Sequence, residues 1–126
     1  MYAPPLDGLE ERWMTRSAAL VQGTLDMLIL KTLALEPMHG YGVGIRIEQI
    51  SAGVFTVNAG SLFPALHKLE RSGLLNSEWR QTENGRRAKY YRLSAKGRTK
   101  LTAAQRDWQA QTAAISRILK TNPEEI

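Results

Sequence analysis

Residues 75–93 read LNSEWRQTENGRRAKYYRL, and this stretch decides the fold. Its two arms, Leu75–Gln81 and Arg87–Leu93, are rich in aromatic residues, as β-strands are. The five residues between them contain Asn84-Gly85, the strongest short-range signal for a β-hairpin. We therefore predict a hairpin. Tyr91 and Leu93 share one strand face and are predicted to lie in the core, whereas the sequence leaves the surroundings of Trp79 and Tyr90 open.

Upstream of the hairpin, the apolar residues follow a helical spacing and predict three helices. The first ends at residues 36–40, Glu-Pro-Met-His-Gly, because proline cannot donate the helical hydrogen bond. Its apolar face consists of Leu25, Leu28, Ile29, Thr32 and Leu33. The second runs from about Tyr41 to Ser51 and is intrinsically weak, since it contains Gly42 and Gly44. Its side chains available for burial are Tyr41, Val43, Ile47 and Ile50.

The third helix directly precedes the hairpin, and two residues compete for its N-cap. Asn58 and Ser61 both have a short polar side chain suited to capping. If Asn58 is the cap, Pro64 lies beyond the first turn and distorts the helix; if Ser61 is the cap, the missing N–H of Pro64 costs nothing. We expect a kinked or late start and an end at Gly73 in a left-handed conformation. The predicted buried residues are Leu62, Leu66 and Leu69.

A long helix is predicted after the hairpin, capped by Ser94 and running to about Lys120. One face carries apolar residues at alternating spacings of three and four, interrupted by Gln111. Three short helices can cover only the start of this stripe, so the remainder predicts a dimer interface. Its residues are Leu101, Ala104, Trp108, Ile115 and Ile118. The alternative for Trp108 is the wall of a ligand pocket between subunits.

This order of elements is that of a winged helix-turn-helix, a mainly α fold with a small β-hairpin (α+β). We divide the chain into an N-terminal arm or helix at residues 1–20, a winged helix-turn-helix domain at residues 21–94 and a C-terminal dimerisation helix at residues 95–122. With 126 residues, the chain has room for one such domain.

The composition narrows the class of function. The chain has 17 lysines and arginines against 12 acidic residues, a formal charge of +5 that favours a polyanionic partner. The absence of cysteine excludes disulfides and cysteine zinc sites. His39 and His67 lack a second ligand at metal spacing, and no catalytic motif is visible. We therefore expect no metal, no cofactor and no enzymatic activity. Because the sequence shows neither an export signal nor a membrane span, we expect a cytoplasmic protein.

Positive charge is concentrated from Arg80 to Lys100, where Glu83 is the only acid. Cations that meet DNA phosphates release counterions and give affinity that is independent of sequence. The predicted phosphate contacts at the hairpin tip are Arg86, Arg87 and Lys89. The third helix is predicted to enter the major groove, because its start carries small or hydrogen-bonding groups. The predicted contacts on it are Asn58 and Ser61, followed by His67 and Lys68, for which solvated side chains are the alternative.

Five blocks of the sequence occur in order: GTLD at 23–26, PMHGY at 37–41, GSLFPAL at 60–66, KLE with GL at 68–74, and RRAKYYRLS at 86–94. Together they resemble regulators of the PadR family, over roughly residues 21–119, and most closely a short-chain, acidobacterial-type subgroup. The resemblance implies a winged helix that dimerises through its last helix with help from the N-terminal segment. Such proteins bind DNA and usually repress promoters, and some relatives release DNA on binding small aromatic or drug-like ligands.

Two positions depart from the family pattern. Phe63, which we include among the DNA contacts, stands where the family usually has tyrosine, and Ala59 stands where the subgroup tends to have an acid. We predict a sequence-specific transcriptional regulator, a repressor that binds a palindromic operator as a homodimer. One alternative is a winged-helix module for protein–protein interaction, which does not need the cations of the hairpin tip. The other is a ligand-binding protein without DNA binding.

Overall fold

The computed structural model describes residues 24–125, so the predicted arm at residues 1–20 lies outside the described residues. Within this range, four helices and three strands follow one another, and all of them except the first strand occur in the predicted order. Their bounds are α1 (helical over residues 24–35), β1 (Met38–His39), α2 (Gly40–Ile50), α3 (Ala59–Arg71), β2 (Leu75–Gln81), β3 (Arg87–Leu93) and α4 (Ala95–Lys120), with a 3-10 turn at Pro123–Glu125. None of the described helices is both long enough and apolar enough to cross a bilayer.

The hairpin has the predicted bounds. Strands β2 and β3 pair antiparallel from Leu75 opposite Leu93 to Gln81 opposite Arg87. At the tip, the Gly85 N–H donates to the Thr82 carbonyl oxygen at 2.9 Å. Because side chains alternate between the two faces of a strand, every second residue shares one face of the hairpin, and the part of that face near Leu75 and Leu93 is buried against the helices. We call this the inner face; its residues are Leu75, Ser77, Trp79 and Gln81 on β2 and Arg87, Lys89, Tyr91 and Leu93 on β3.

Strand β1 was not predicted. Met38 and His39 pair antiparallel with Tyr91 and Tyr90, so the sheet has the order β1-β3-β2. The sequence analysis assigned these two residues to the turn that ends α1. A strand of two residues has no alternation of its own, and only its pairing with a partner about 50 positions along the chain makes it visible.

Helix α2 begins one residue earlier than predicted. His39 is its N-cap, and the His39 Nδ1 atom accepts a hydrogen bond from the Gly42 N–H at 3.1 Å. The predicted burial of Tyr41 and Ile50 is wrong, because their side chains are 65% and 62% exposed. The face that packs on the core is instead made of Gly40, Val43, Gly44 and Ile47. Its two glycines let side chains of α3 approach the α2 backbone closely: a Cβ on Gly40 would meet Phe63, and one on Gly44 would meet Leu62.

Helix α3 is capped by Asn58, and Pro64 lies inside the helix. Proline at this sixth position removes one helical hydrogen bond, the one that the Gly60 carbonyl oxygen would accept. The C-terminal end is the predicted left-handed cap: Gly73 has a φ of +76°. The Gly73 N–H donates to the Glu70 carbonyl oxygen at 2.9 Å and the Leu74 N–H donates to the Leu69 carbonyl oxygen at 3.0 Å. This pair of bonds is the Schellman motif.

The core lies between α1, α2, α3 and the inner face of the hairpin. The predicted burial of Leu62, Leu66 and Leu69 on α3, and of Tyr91 and Leu93 on β3, is confirmed. Helix α4 contributes only its first two turns, through Gly97 and Leu101. The buried apolar residues are Leu25, Ile29, Leu30, Leu33, Met38, Val43, Ile47, Leu62, Ala65, Leu66, Leu69, Leu74, Leu75, Tyr91, Leu93 and Leu101.

The first turn of α4 crosses the end of α3 at very short range. Ser94 caps α4 as predicted: its Oγ accepts a hydrogen bond from the Gly97 N–H at 2.9 Å and donates one to the Gly73 carbonyl oxygen at 2.7 Å. A Cβ atom on Gly97 would lie 2.2 Å from the Leu74 carbonyl oxygen and 2.6 Å from Leu93 Cδ1. Only glycine allows this approach, because the first of these neighbours is backbone and cannot turn aside.

We therefore expect Gly97→Ala to lower the free energy of unfolding by about 2 kcal/mol, although alanine favours a helix, because the overlap forces α4 away from Leu74. Equilibrium urea unfolding measures the change. Gly42→Ala on α2 is the matched control, since its Cβ would meet only the His39 ring, at 3.4 Å. It should gain about 0.5 kcal/mol from helix propensity. Equal changes at the two glycines would contradict the close approach.

Candidate nucleic-acid interface

Helix α3 turns one row of residues to solvent. Gly60, Pro64, His67 and Arg71 are spaced four, three and four apart and are all exposed, opposite the buried leucines. Of this row, His67 and Arg71 carry donors that can reach a base edge or a phosphate. The sequence analysis named His67 and left out Arg71, although the four-residue spacing from His67 places the two on one face.

The start of α3 is fixed by Asn58. Its Oδ1 accepts a hydrogen bond from the Ser61 N–H at 2.9 Å, and the two N–H donors of its side chain amide are not used by this cap. Ser61 is exposed, but it lies on the side of α3 that faces α1, where it lines a cavity described below. The predicted contacts Asn58 and Ser61 are therefore both at the start of the helix, and neither belongs to its outward row.

Phe63 is packed against α2. Its ring stands edge-to-face with the Tyr41 ring, with centroids 5.1 Å apart, and a Cβ on Gly40 would lie 2.7 Å from Phe63 Cε1. Phe63 is half-buried in this contact, whereas Tyr41 remains exposed at the start of α2. The hydroxyl that Phe63 lacks is thus present on its neighbour. The spacing of apolar residues predicts Tyr41 in the core, so the sequence pattern gives no sign of its exposed hydroxyl.

Lys68 is tied to α1. Its Nζ lies 2.6 Å from Asp26 Oδ2, in an ion pair between residues 42 positions apart. The Lys68 side chain is 48% exposed. A phosphate contact at Lys68 would therefore compete with Asp26 for the ammonium group.

Lys89 is tied to α3. On the inner face of the hairpin, Lys89 Nζ lies 2.8 Å from Glu70 Oε1, and Glu70 Oε2 accepts a hydrogen bond from the Ser77 hydroxyl. The bond from Lys89 and, next, the bond from Ser77 hold the pKa of the Glu70 carboxyl below its ordinary value. The same bond raises the pKa of the Lys89 ammonium. The structure therefore gives this predicted phosphate contact a carboxylate partner.

The distal part of the inner face carries an arginine on a tryptophan. The Arg87 guanidinium lies 5.7 Å from the centroid of the Trp79 ring, within the range of a cation–π contact. We call strands β2 and β3, with their connection, the wing. The sequence left the surroundings of Trp79 open; its side chain is 59% exposed and lies at the surface of the wing. The contact places the Arg87 side chain beside Trp79 at the exposed distal end of the inner face.

The opposite face of the wing is occupied by its own contacts. Arg80 pairs with Glu78, and its guanidinium lies 5.2 Å from the centroid of the Tyr90 ring. Tyr90, half-buried, meets the His39 ring edge-to-face. The remaining cations of the basic stretch are exposed and form no ion pair with another described residue. One of them, Lys96, donates a hydrogen bond to the Ser72 carbonyl oxygen. The others are Arg86, Arg87, Arg92, Arg98 and Lys100.

An apolar cavity of about 450 Å³ lies between α1, the segment before α3 and the middle of α4. Leu28 forms part of its wall on α1, Phe55 on the loop and Trp108 on α4. Trp108 is 43% exposed. Asn58 and Ser61 complete the wall, so the cavity reaches the first turn of α3.

The stripe predicted on α4 runs from buried to exposed along the helix. Leu101 is buried and Ala104 is half-buried, whereas Trp108, Ile115 and Ile118 are exposed. Leu119, next to the stripe, is 79% exposed. No described residue of the same chain buries the second half of α4.

Comparison with known proteins gives consistent matches. Residues 29–103 match the transcriptional regulator PadR-like family. The chain is 41% identical over 78 residues to transcriptional regulator Rv3488 of Mycobacterium tuberculosis. The aligned residues make up 62% of this chain and 69% of that protein. A PadR-family transcriptional regulator from Eggerthella lenta superposes with a TM-score of 0.71 at 29% identity, over 90% of this chain and 97% of that one.

A transcriptional regulator from Clostridium thermocellum shares the fold, with a TM-score of 0.74 at 22% identity, over 81% of this chain and 96% of that one. These matches confirm the predicted α+β winged-helix fold. Because the family consists of transcriptional regulators, they also confirm that the protein is not an enzyme. The chain belongs to the PadR-like family of transcriptional regulators.

Proposed function

We propose that the protein is a repressor that binds a palindromic operator sequence-specifically as a homodimer. One observation carries this proposal: α3 packs against the inner face of the hairpin, and the same face extends beyond Glu70 to Trp79 and Arg87. The outward row of α3 and the exposed arginines of the wing can therefore meet one DNA duplex together. An interaction module or a ligand-binding protein does not need that arrangement of unpaired cations.

The two parts of this surface have different tasks in the proposal. The outward row of α3 lies in the major groove, where His67 and Arg71 reach bases or phosphates. Arg86 and Arg87 on the wing neutralise backbone phosphates. Tyr41, exposed beside Phe63, offers a hydroxyl at the start of α2, the helix that crosses the backbone in a helix-turn-helix. Asn58 supports the surface as the cap of α3.

The homodimer is supported by the exposed half of the α4 stripe. Trp108, Ile115 and Ile118 are large apolar side chains on one helix, and such a patch marks an interaction surface. A second copy of the chain is the economical partner, because a twofold dimer buries the same stripe on both subunits. It also presents two α3 helices to successive major grooves about 34 Å apart, which matches a palindromic operator.

Repression follows if the bound dimer blocks access to a promoter. This function requires the chromosome, so we place the protein in the cytoplasm. We also assign the chain to the short-chain, acidobacterial-type subgroup of the family; the five sequence blocks alone support this assignment.

A small aromatic or drug-like ligand is a second proposed partner, supported by the cavity beside Trp108. Its wall is apolar and aromatic, as in sites for such ligands, and its volume suits a small molecule. Because Asn58 and Ser61 belong to the same wall, an occupied cavity would act on the start of α3. A ligand changes DNA affinity only if it binds the free and the DNA-bound forms differently.

Replacing Arg86 and Arg87 together with alanine should weaken binding to all DNA sequences. Each lost phosphate contact makes the negative slope of log K against log salt concentration shallower by about 0.9. The slope of the double variant should therefore be shallower by about 2. Fluorescence anisotropy with labelled duplexes at several salt concentrations measures both effects. Lys120→Ala, which removes an exposed cation at the far end of α4, serves as the control. An unchanged slope in the double variant would contradict the proposed role of the wing.

Trp108→Ala should weaken the dimer by about 3 kcal/mol and weaken operator binding with it, because the side chain is central in the stripe. Sedimentation velocity at a series of concentrations measures the dimer. Arg106→Ala lies two residues away, on the opposite side of α4, and should leave the dimer intact. A wild-type protein that sediments as a monomer at micromolar concentration would show that the exposed stripe is not a dimer interface.

The ligand proposal is tested with anilinonaphthalene sulfonate, a planar aromatic dye whose fluorescence rises in apolar cavities. Leu28→Trp fills the cavity and should weaken saturable dye binding about tenfold, which corresponds to about 1.4 kcal/mol. Leu35→Trp is the same substitution at an exposed position of α1 and should bind like the wild type. If both variants bind the dye equally well, the dye does not occupy this cavity and the proposal loses its support.

A further inference from the structure

The Glu70 carboxylate joins the recognition helix α3 to both strands of the wing. Its Oε1 atom lies 2.8 Å from Lys89 Nζ on β3, and its Oε2 atom accepts from the Ser77 hydroxyl on β2. The side chains of Glu70 and Lys89 are 29% and 27% exposed, so the pair is partly buried. Both oxygens of one carboxylate are therefore used, each by a different strand.

We propose that Glu70 and Lys89 are positioning residues that hold the wing at one distance and angle from α3, and so control DNA selectivity rather than total affinity. This inference rests on the proposed DNA-binding function. It gives Lys89 a structural role in place of the phosphate contact predicted from the sequence.

The geometry explains why the pair can fix an angle. The base of the wing is already held by the pairing of β1 with β3 and by the buried side chains of Leu75, Tyr91 and Leu93. Beyond these contacts, the bonds from Ser77 and Lys89 to the two oxygens restrain both strands closer to the tip. Lys89 has a second contact, since its Nζ lies 5.3 Å from the centroid of the buried Tyr91 ring. A hydrogen bond between two charged groups is stronger and shorter than a neutral one, and partial burial protects it from screening by salt.

The position of the pair along the strands decides what it controls. Lys89 and Arg87 are two residues apart on β3, on the same face, and Arg87 lies closer to the tip. A strand rises about 3.3 Å per residue, so the Arg87 backbone lies roughly 7 Å beyond the fixed point. The pair therefore sets where the phosphate-binding arginines stand relative to His67 and Arg71 on α3.

Selectivity and affinity depend differently on that placement. Attraction between the wing and phosphates is long in range and tolerates a shifted wing, so nonspecific binding should survive loss of the pair. Specific binding needs the wing on its phosphates and α3 on its bases at once, because phosphate contacts fix the register in which bases are read. Loss of the pair should therefore reduce the preference for the correct sequence.

The experiment uses the full chain and a duplex that the wild-type protein itself selects from a random pool, with a scrambled duplex of equal composition as reference. The selectivity ratio is the affinity for the selected duplex divided by that for the scrambled one. Glu70→Gln and Lys89→Gln should each lower this ratio about tenfold, similar to the cost of one mismatched base pair. Ser77→Ala keeps both charges and should lower the ratio by a smaller factor, about threefold.

Glu78→Gln is the matched control. Like Glu70→Gln, it removes a carboxylate that pairs with a cation, but Glu78 lies on β2 and its partner is Arg80 on the same strand. Any gain in nonspecific affinity from the lost negative charge should appear in both Glu70→Gln and Glu78→Gln. The selectivity ratio should fall only in Glu70→Gln. Exchange of the two charges, Glu70→Lys with Lys89→Glu, should recover part of the ratio lost by Glu70→Lys alone. Circular dichroism confirms that each variant is folded.

Two outcomes would overturn the inference. If Lys89→Gln lowers the salt slope by about 0.9 while Glu70→Gln leaves the selectivity ratio unchanged, Lys89 binds phosphate directly and positions nothing. If Glu70→Gln and Glu78→Gln change the ratio equally, the effect is one of charge alone. The failure of the proposed function would look different, because the wild-type protein would then select no sequence from the pool.

Discussion

At the corner between α3 and β2, the Leu74 carbonyl oxygen accepts a hydrogen bond from the Ser94 N–H at 3.1 Å, and the first turn of α4 crosses the same peptide. Four elements meet here: the end of α3, the start of β2, the end of β3 and the start of α4. Gly73 turns the chain out of α3, Ser94 caps α4 and bonds back to Gly73, and Gly97 removes the side chain that would keep the two backbones apart. The placement of the wing and of α4 relative to α3 depends on this corner.

From the corner, the wing runs along α3 as far as Glu70 and then beyond it. Close to the corner its inner face is apolar, through Tyr91 and Leu93. One step further it is polar and paired, through Lys89 and Glu70, and at the distal end it carries Arg87 on Trp79. The face therefore changes from core to ion pair to exposed cation over one strand. Under the proposed function, this gradient would let the same strand contribute to stability at one end and to DNA binding at the other.

The basic stretch from Arg80 to Lys100 consequently contains two kinds of cation. Arg80 and Lys89 have carboxylate partners, and Lys96 donates to the Ser72 carbonyl oxygen at the end of α3, where a positive charge is favourable. The other cations of the stretch are exposed and form no ion pair within residues 24–125. Net charge alone would count all of them equally as DNA contacts. The exposed half of the α4 stripe belongs to neither α3 nor the wing, whereas the cavity beside Trp108 extends to the first turn of α3.

The sequence by itself determined what local chemistry controls. It predicted the bounds of β2 and β3, the cap at Ser94 and the left-handed end at Gly73, because each depends on residues within a few positions of one another. It also identified Arg86 and Arg87 as tip cations. Only the tertiary structure decided between Asn58 and Ser61 as the cap of α3 and showed that Tyr41 is exposed. It also gave Lys68 and Lys89 carboxylate partners, which lie 42 and 19 positions away in the sequence. A pattern in sequence reports which face of an element is apolar, but the partner of a side chain on that element depends on which distant segment packs against it, and that is set by the fold of the whole chain.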